Sequence, residues 1–352
     1  MKPDVAPSTH TTNSWRTIGS IFFRVALVAI ALLVLRRELD GVGLRDLFAG
    51  LRSYGLRHVA LALAFTLASF LTLGAIELLA LQYVGKRAER IIPRRTAMAT
   101  SFVANAYSLS VGLAILTGAA VRLRSYSRYG LDALDVARLS VFVTVTATLG
   151  LITTGALAFL TTPGRVGFLT YSFSLAPLGV LLLLPIVGYI AWGAFGHSEF
   201  HGRGKWRIRR PSLGLALEQI GISSIDWVFA GTVLFFLLPT SLHVSYSGLL
   251  GVYLVAQTAA SLSHVPGGVG VFEAIVLALL TILGGGRVPS RALTVSLAAS
   301  LFVYRVIYYL LPLCGAIALS AIAEVIRSRK PTLSPAPAIV GSRSSLTAPD
   351  AI

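Results

Sequence analysis

The sequence is poor in cysteine, in acids and in charge of any kind. One thiol, Cys314, stands in 352 residues, and it lies inside an apolar run. A single cysteine supports neither an internal disulfide framework nor a thiolate metal cage. Only 12% of residues are charged, and 14 of them are acidic. Soluble domains carry about 25% charged residues, so a soluble globular fold is disfavoured. No HExxH, Walker A or GxSxG motif occurs, which leaves no positive sign of metal-assisted hydrolysis, ATP use or a serine nucleophile. The histidines of HSEFH (197–201) stand four apart, a metal-ligand spacing on a helix. Their loop is basic and offers no further ligand, so no metal, no cofactor and no catalytic residue is expected.

What the chain does have is apolar length. It is 55% hydrophobic with a mean hydropathy of +0.78. Runs such as VALALAFTLASFLTLGAIELLALQYV (59–84) lack the period-two alternation of an outer-membrane barrel strand. The expected fold class is therefore an all-α polytopic integral membrane protein. The net charge of +16 sits in loops between apolar runs. Topology and anionic headgroups account for it better than nucleic acid, since no basic face sits on a soluble fold.

Residues 1–14 are polar and read as a disordered N-terminus. The membrane domain is expected over 15–326, and 327–352 as a basic, then Pro/Ser-rich, disordered tail. Apolar segments fall at 18–35, 59–84, 96–121, 139–160, 174–195, 213–238, 246–283 and 292–322. The first has no clear cleavage site and reads as a retained helix, with Arg24 snorkelling near its start. Leu44, Leu47, Phe48 and Leu51 recur at helical spacing, as in a segment lying in the interface.

Loop charge then tests the topology. If every apolar segment crosses fully, the basic loops 85–95 and 122–138 fall on opposite faces, against the positive-inside rule. If 96–121 is instead a re-entrant helical hairpin, both face the cytoplasm. A second hairpin over 246–283, entering from the other face, keeps the remaining loops consistent. The scheme has about eight membrane segments, two of them re-entrant, in an inverted-repeat arrangement familiar among transporters. It puts 20 Lys/Arg and both termini on the cytoplasmic side against 8 outside. Loop 36–58 fits least well, with five arginines against three acids on the outer face. The polar run NAYSLS (105–110) marks the expected break of the first hairpin.

The break of the second is SLSHVPGGVGVFEA (261–274). Irregular backbone at membrane depth persists only where protein or water satisfies it. Pro266 lacks an N–H, and Gly267, Gly268 and Gly270 permit tight geometry. A helix restarting near Val269 would turn its positive end into the membrane, where it attracts anions such as phosphate. Glu273 lies in its first turn. The break reads either as half of an anion or headgroup site or as a plain kink with Glu273 as a local cap.

The stretch SHVPGGVGVFEAIVLALL (263–280), followed by YRVIYYLLPL (304–313), resembles the transmembrane domain of the bacterial lysylphosphatidylglycerol synthase/flippase (multiple peptide resistance factor) family. TGAAVRLRSYSRYGL (117–131) resembles that family's Gly-small-small-Val-Arg-x-Arg-x-Tyr-Ser segment. The resemblance implies a membrane domain that flips aminoacylated phosphatidylglycerol between leaflets of the bacterial cell (inner) membrane. In full-length members a cytosolic transferase makes that lipid from aminoacyl-tRNA. No such domain follows the last apolar run here, so a stand-alone relative or a piece of a longer protein is expected. Membrane phospholipids are the expected partners, and a separate aminoacyltransferase chain and a homo-oligomer stay open. Two other functions compete: a membrane component of a lipid aminoacyltransferase system, and a secondary transporter of a small anion.

The remaining charged residues divide between lipid contact and structure. Arg122 and Arg124 are placed at phosphate on the strength of the resemblance, with topogenic charge as the alternative; Arg128 reads as a plain interfacial charge. Arg305, flanked by Tyr304, Tyr308 and Tyr309, lies within a span, where an arginine costs about 2.5–3.5 kcal/mol and should find a partner. Glu273 is the first candidate and Asp226 the second, and such a bridge competes with a lipid-binding role for Arg305 and Tyr304. Asp226 lies mid-span, while Glu77 and Glu218 lie nearer the ends of theirs. It could hold a lysyl-type ammonium, carry protons or pair with an arginine.

Overall fold

The computed structural model describes residues 55–328 apart from 112–113, 164–165, 169–170, 196–198, 202–206, 240, 243 and 284–290. The expected first span, most of loop 36–58 and nearly all of the basic tail lie outside them. The helices in order are α1 (Leu56–Val84), α2 (Lys86–Ile91), α3 (Arg94–Val111), α4 (Ala114–Tyr126), α5 (Ala133–Thr161), α6 (Ala176–Phe195), α7 (Leu213–Leu237), α8 (Tyr246–Leu262), α9 (Val271–Leu283), α10 (Arg291–Arg305) and α11 (Leu311–Ser328). Short 3-10 turns cover Ser127–Tyr129 and Pro266–Gly268, and a π turn over Val306–Leu310 joins α10 to α11. Two three-residue strand pairs close loops: β1 (Val166–Phe168) with β2 (Tyr171–Phe173), and β3 (Glu199–His201) with β4 (Arg207–Arg209). Residues 199–201 are thus strand, so the helical spacing that raised the metal question in HSEFH does not hold there.

The protein is a helical membrane protein. Six segments among the described residues are long and apolar enough to cross a bilayer: 56–84, 133–161, 176–195, 213–237, 266–283 and 293–326. Five are spans expected from the sequence. The sixth counts the Pro266–Gly268 turn together with α9. By itself α9 has 13 residues, as does α4, while α8 has 17 and α3 has 18. At 1.5 Å per residue these arms reach about 20–27 Å, against about 30 Å of hydrocarbon.

Helix starts follow from local chemistry. Asp132 accepts from the Asp135 N–H at 2.7 Å, Ser212 from Leu215 and Ser245 from Gly248, so α5, α7 and α8 each begin on a side-chain cap. Hydroxyls inside the helices bond back to carbonyls one turn earlier, as Thr66 does to Ala62 and Thr146 to Phe142. That removes unpaired polar groups without breaking the helix. The same device corrects the expectation for NAYSLS. Asn105 donates to the Ser101 carbonyl and Ser110 to that of Ala106, so α3 runs through 105–110 and ends only at Val111.

Packing relies on small residues, as expected where lipid supplies no hydrophobic drive between helices. α1 and α5 both pack on α7, while α6 lies on α5 and turns Val180, Leu181, Leu184 and Val187 outward. At the α5–α7 crossing, a Cβ on Gly150 would fall 2.5 Å from the Ser223 backbone carbonyl carbon. Gly150→Ala must separate the two helices and should lower stability by about 1–3 kcal/mol. Gly221→Ala, in open space on α7, should not destabilise. Thermal unfolding in detergent checks both, and equal midpoints would refute the close crossing.

Candidate functional site

The second break is the centre of a polar cluster. α8 ends at Leu262, and the chain turns through His264 at φ +55° and a 3-10 turn before α9 begins at Val271. Gly267 and Gly268 both have φ +62°, a region that penalises any side chain. A Cβ on Gly268 would also lie 2.5 Å from Ala260 Cβ. The turn therefore needs glycine twice, for conformation and for space.

Arg305, at the end of α10, satisfies this irregular backbone. Its guanidinium donates to the Gly267 carbonyl, to the Gly268 carbonyl at 3.2 Å and, through Nε, to Glu273 Oε1 at 2.5 Å. Its plane lies near the Phe272 and Tyr309 rings. Arg305 is 3% exposed. Glu273 is thus the partner of Arg305. Its other oxygen accepts from the Gly270 N–H at 2.8 Å, so the carboxylate also caps α9. The positive end of α9 therefore carries its own anion, as in the reading of Glu273 as a local cap. The tip of the first helical pair meets this turn: a Cβ on Gly267 would lie 3.7 Å from the Ser110 carbonyl oxygen.

Tyrosines build the wall beside this turn. The π turn leaves Tyr308 and Tyr309 buried along with Tyr304 and Arg305. Tyr304 stacks between Phe272 and Tyr308 and donates to the Tyr253 hydroxyl at 3.0 Å, and Tyr309 donates to Gln257 at 3.1 Å. Pro266, the three glycines, Glu273, Tyr304 and Arg305 therefore lie in one cluster.

Arg122 belongs to a second cluster. On α4 it forms a two-pronged ion pair with Glu77 of α1, Nε to both carboxylate oxygens at 3.0 Å and Nη2 to Oε2 at 2.8 Å. Tyr126, one turn further along α4, donates to Glu77 Oε1 at 2.8 Å. Glu77 is 0% exposed and Arg122 5%. This is a strut between α1 and the first helical pair, and the phosphate expected at Arg122 has a protein carboxylate in its place. Arg124 sits nearer the surface, paired with Glu324 of α11 at 3.0 Å.

Asp226 is a third element, 7% exposed on α7. Its Oδ1 accepts from Ser69 at 2.6 Å and Thr72 at 2.9 Å, both on α1, and Ser69 Oγ is 2.9 Å from the Tyr308 hydroxyl. No ion pair to Asp226 occurs among the described residues. Sequence reasoning missed Tyr126, Ser69 and Thr72 and underrated Glu77. The four-residue interval from Arg122 to Tyr126 was the one local signal, since it puts both on one helix face.

Fold and cluster together define a multi-pass helical membrane protein in which two short helical pairs meet tip to tip, the first fixed by a buried Glu–Arg pair and the second by a buried arginine on a partly exposed glutamate. The chain belongs to the family described as the lysylphosphatidylglycerol synthase TM region, whose model matches residues 21–314. The Synechocystis sp. protein slr0712 is 33% identical over 315 residues, 89% of this chain and 92% of that one. The inner membrane protein YbhN of Escherichia coli is 31% identical over 306 residues, 85% of this chain and 90% of that one. A phosphatidylglycerol lysyltransferase of Staphylococcus aureus is 24% identical over 315 residues, 88% of this chain but 34% of that protein.

Proposed function

We propose that this protein flips a phospholipid between the leaflets of the bacterial inner membrane, with aminoacylated phosphatidylglycerol as the lipid and both termini cytoplasmic. The observation that carries this reading is the meeting of the two short-armed helical pairs at Ser110 and Gly267, whose carbonyl accepts from Arg305. Arms shorter than the hydrocarbon core favour re-entrant hairpins entering from opposite faces. A headgroup at the junction finds complementary chemistry. Its phosphate takes the fork that Arg305 otherwise gives to the glycine carbonyls, and its ammonium faces Glu273. Arg124, a third exposed, receives the phosphate at the rim. The name of the Staphylococcus relative supports the lipid, and that of YbhN supports the membrane.

A second reading has its own support. The family shared with a lysyltransferase also fits a membrane component of a lipid aminoacyltransferase system, and this chain spans about a third of that relative. A small-anion transporter has less, because Glu273 fills the helix end that would attract the anion.

Proteoliposomes holding lysylated phosphatidylglycerol test the first reading. Wild-type protein should expose the inner-leaflet lipid to an impermeant amine reagent, and Glu273→Gln should abolish exposure while remaining folded. No exposure with wild type rejects translocation, and product formed from charged tRNA by this chain alone would make it an enzyme. In cells, cysteines at positions 90 and 125, on a Cys314→Ala background, should label from the same side; opposite sides would remove the first hairpin.

A further inference from the structure

Asp226 is buried with neutral hydroxyls as its hydrogen-bond partners and no counter-charge among the described residues. Four oxygen–oxygen contacts of hydrogen-bond length join the group: Tyr308 to Ser69 at 2.9 Å, Ser69 to Asp226 Oδ1 at 2.6 Å, Thr72 to the same Oδ1 at 2.9 Å, and Thr72 to the Ser69 carbonyl at 2.7 Å. Each hydroxyl owns one hydrogen, so three side chains supply three. The Ser69 carbonyl only accepts, and it is the nearer of Thr72's two neighbours. Thr72 either shares its hydrogen between that carbonyl and Oδ1 or gives it to the carbonyl alone, and in the second case a proton on Oδ1 fills the remaining contact. With one proton on Oδ1 the chain closes: Tyr308 to Ser69, Ser69 to Asp226, Asp226 to Thr72, Thr72 to the backbone.

The surroundings agree. Asp226 is buried, and no basic side chain pairs with it among the described residues. Tyr308 and Tyr253 are the titratable groups that face it, from the π turn and from α8. α1 presents hydroxyls alone. A metal ion does not suit the spot, because both hydroxyl oxygens already stand at hydrogen-bond distance from the carboxyl oxygen.

We propose that Asp226 is a proton-carrying site, neutral while the helical pairs are closed and releasing its proton to water when they part, so that lipid movement is driven by a proton gradient. The coupling rests on the translocation reading above. On release, the proton leaves Oδ1 for water, and Thr72 swings its hydrogen from the Ser69 carbonyl to the carboxylate. Tyr308 passes the change to its neighbour Tyr304 and to Arg305, three residues away on the same helix.

Two measurements on the full chain separate the parts. Infrared difference spectra of purified protein at neutral pH should contain a protonated-carboxyl C=O band that Asp226→Asn removes and Glu273→Gln keeps. Tyr308→Phe, which takes one hydroxyl from the chain, should shift the same band and guards against a misfolded Asn variant. In proteoliposomes, lipid movement should quicken under a pH gradient of one sign and slow under the other, and Asp226→Asn should lose that dependence. No band overturns the proposal whatever the lipid does. A band with lipid movement indifferent to the gradient overturns the coupling and leaves translocation standing. A band with no lipid movement under any gradient rejects translocation, and the coupling with it, and keeps the protonated carboxyl.

Discussion

Arg305→Ala is expected to cost about 3–5 kcal/mol of stability and to lower the unfolding midpoint in detergent by more than any surface change. The cost comes from orphaned partners. Glu273 would lose its counter-charge, and the carbonyls of Gly267 and Gly268 would lose their donor at a turn with no regular helix to satisfy them. Buried acceptors left without partners cost about 1–3 kcal/mol each. Arg305→Lys should rescue little, because one compact ammonium does not span a carboxylate and two carbonyls as the planar fork does. Removing Glu273 as well should be milder than the sum of the single losses. A midpoint unchanged in Arg305→Ala would mean that the turn is satisfied some other way.

The second large effect is expected at Glu77. Glu77→Ala strands the buried guanidinium of Arg122 and the Tyr126 hydroxyl, and about 3–5 kcal/mol should go with it. Arg122→Ala should look the same by unfolding midpoint and by the amount of protein recovered from membranes. The double variant Glu77→Ala/Arg122→Ala should recover about 0.5–3 kcal/mol relative to additivity. A phosphate-binding arginine predicts another pattern: lipid movement lost in Arg122→Ala at normal stability, with Glu77→Ala silent. The two patterns separate a strut from a ligand.

The sequence disclosed the apolar spans, because apolar length is a local quantity. Runs at 59–84 and 213–238 coincide closely with α1 and α7. The second break was legible because Pro266 and three glycines leave few conformations open. The first was misplaced because polarity alone does not end a helix: Asn105 and Ser110 spend their hydrogen bonds inside α3. The Arg305–Glu273 pair was legible for an energetic reason, since an arginine inside a span must find an acid and few are available. Arg122 was drawn to phosphate by resemblance. Its true neighbour, Glu77, is 45 residues distant, and only the fold shows that the two ends meet. The hydroxyls at Asp226 were invisible for the same reason: serine and threonine are common in membrane helices, and nothing in their spacing names the acid they serve.

The π turn at Val306–Leu310 makes the last helix two rods wound out of phase. A regular α-helix advances about 100° per residue. Were one residue of that turn deleted, the ladder would close as ordinary helix and α11 would swing around its axis by about that angle. Tyr308 or its replacement would leave Ser69, and Glu324 would turn from Arg124 some distance below. A single surplus residue thus keeps the two halves of the helix facing their separate tasks.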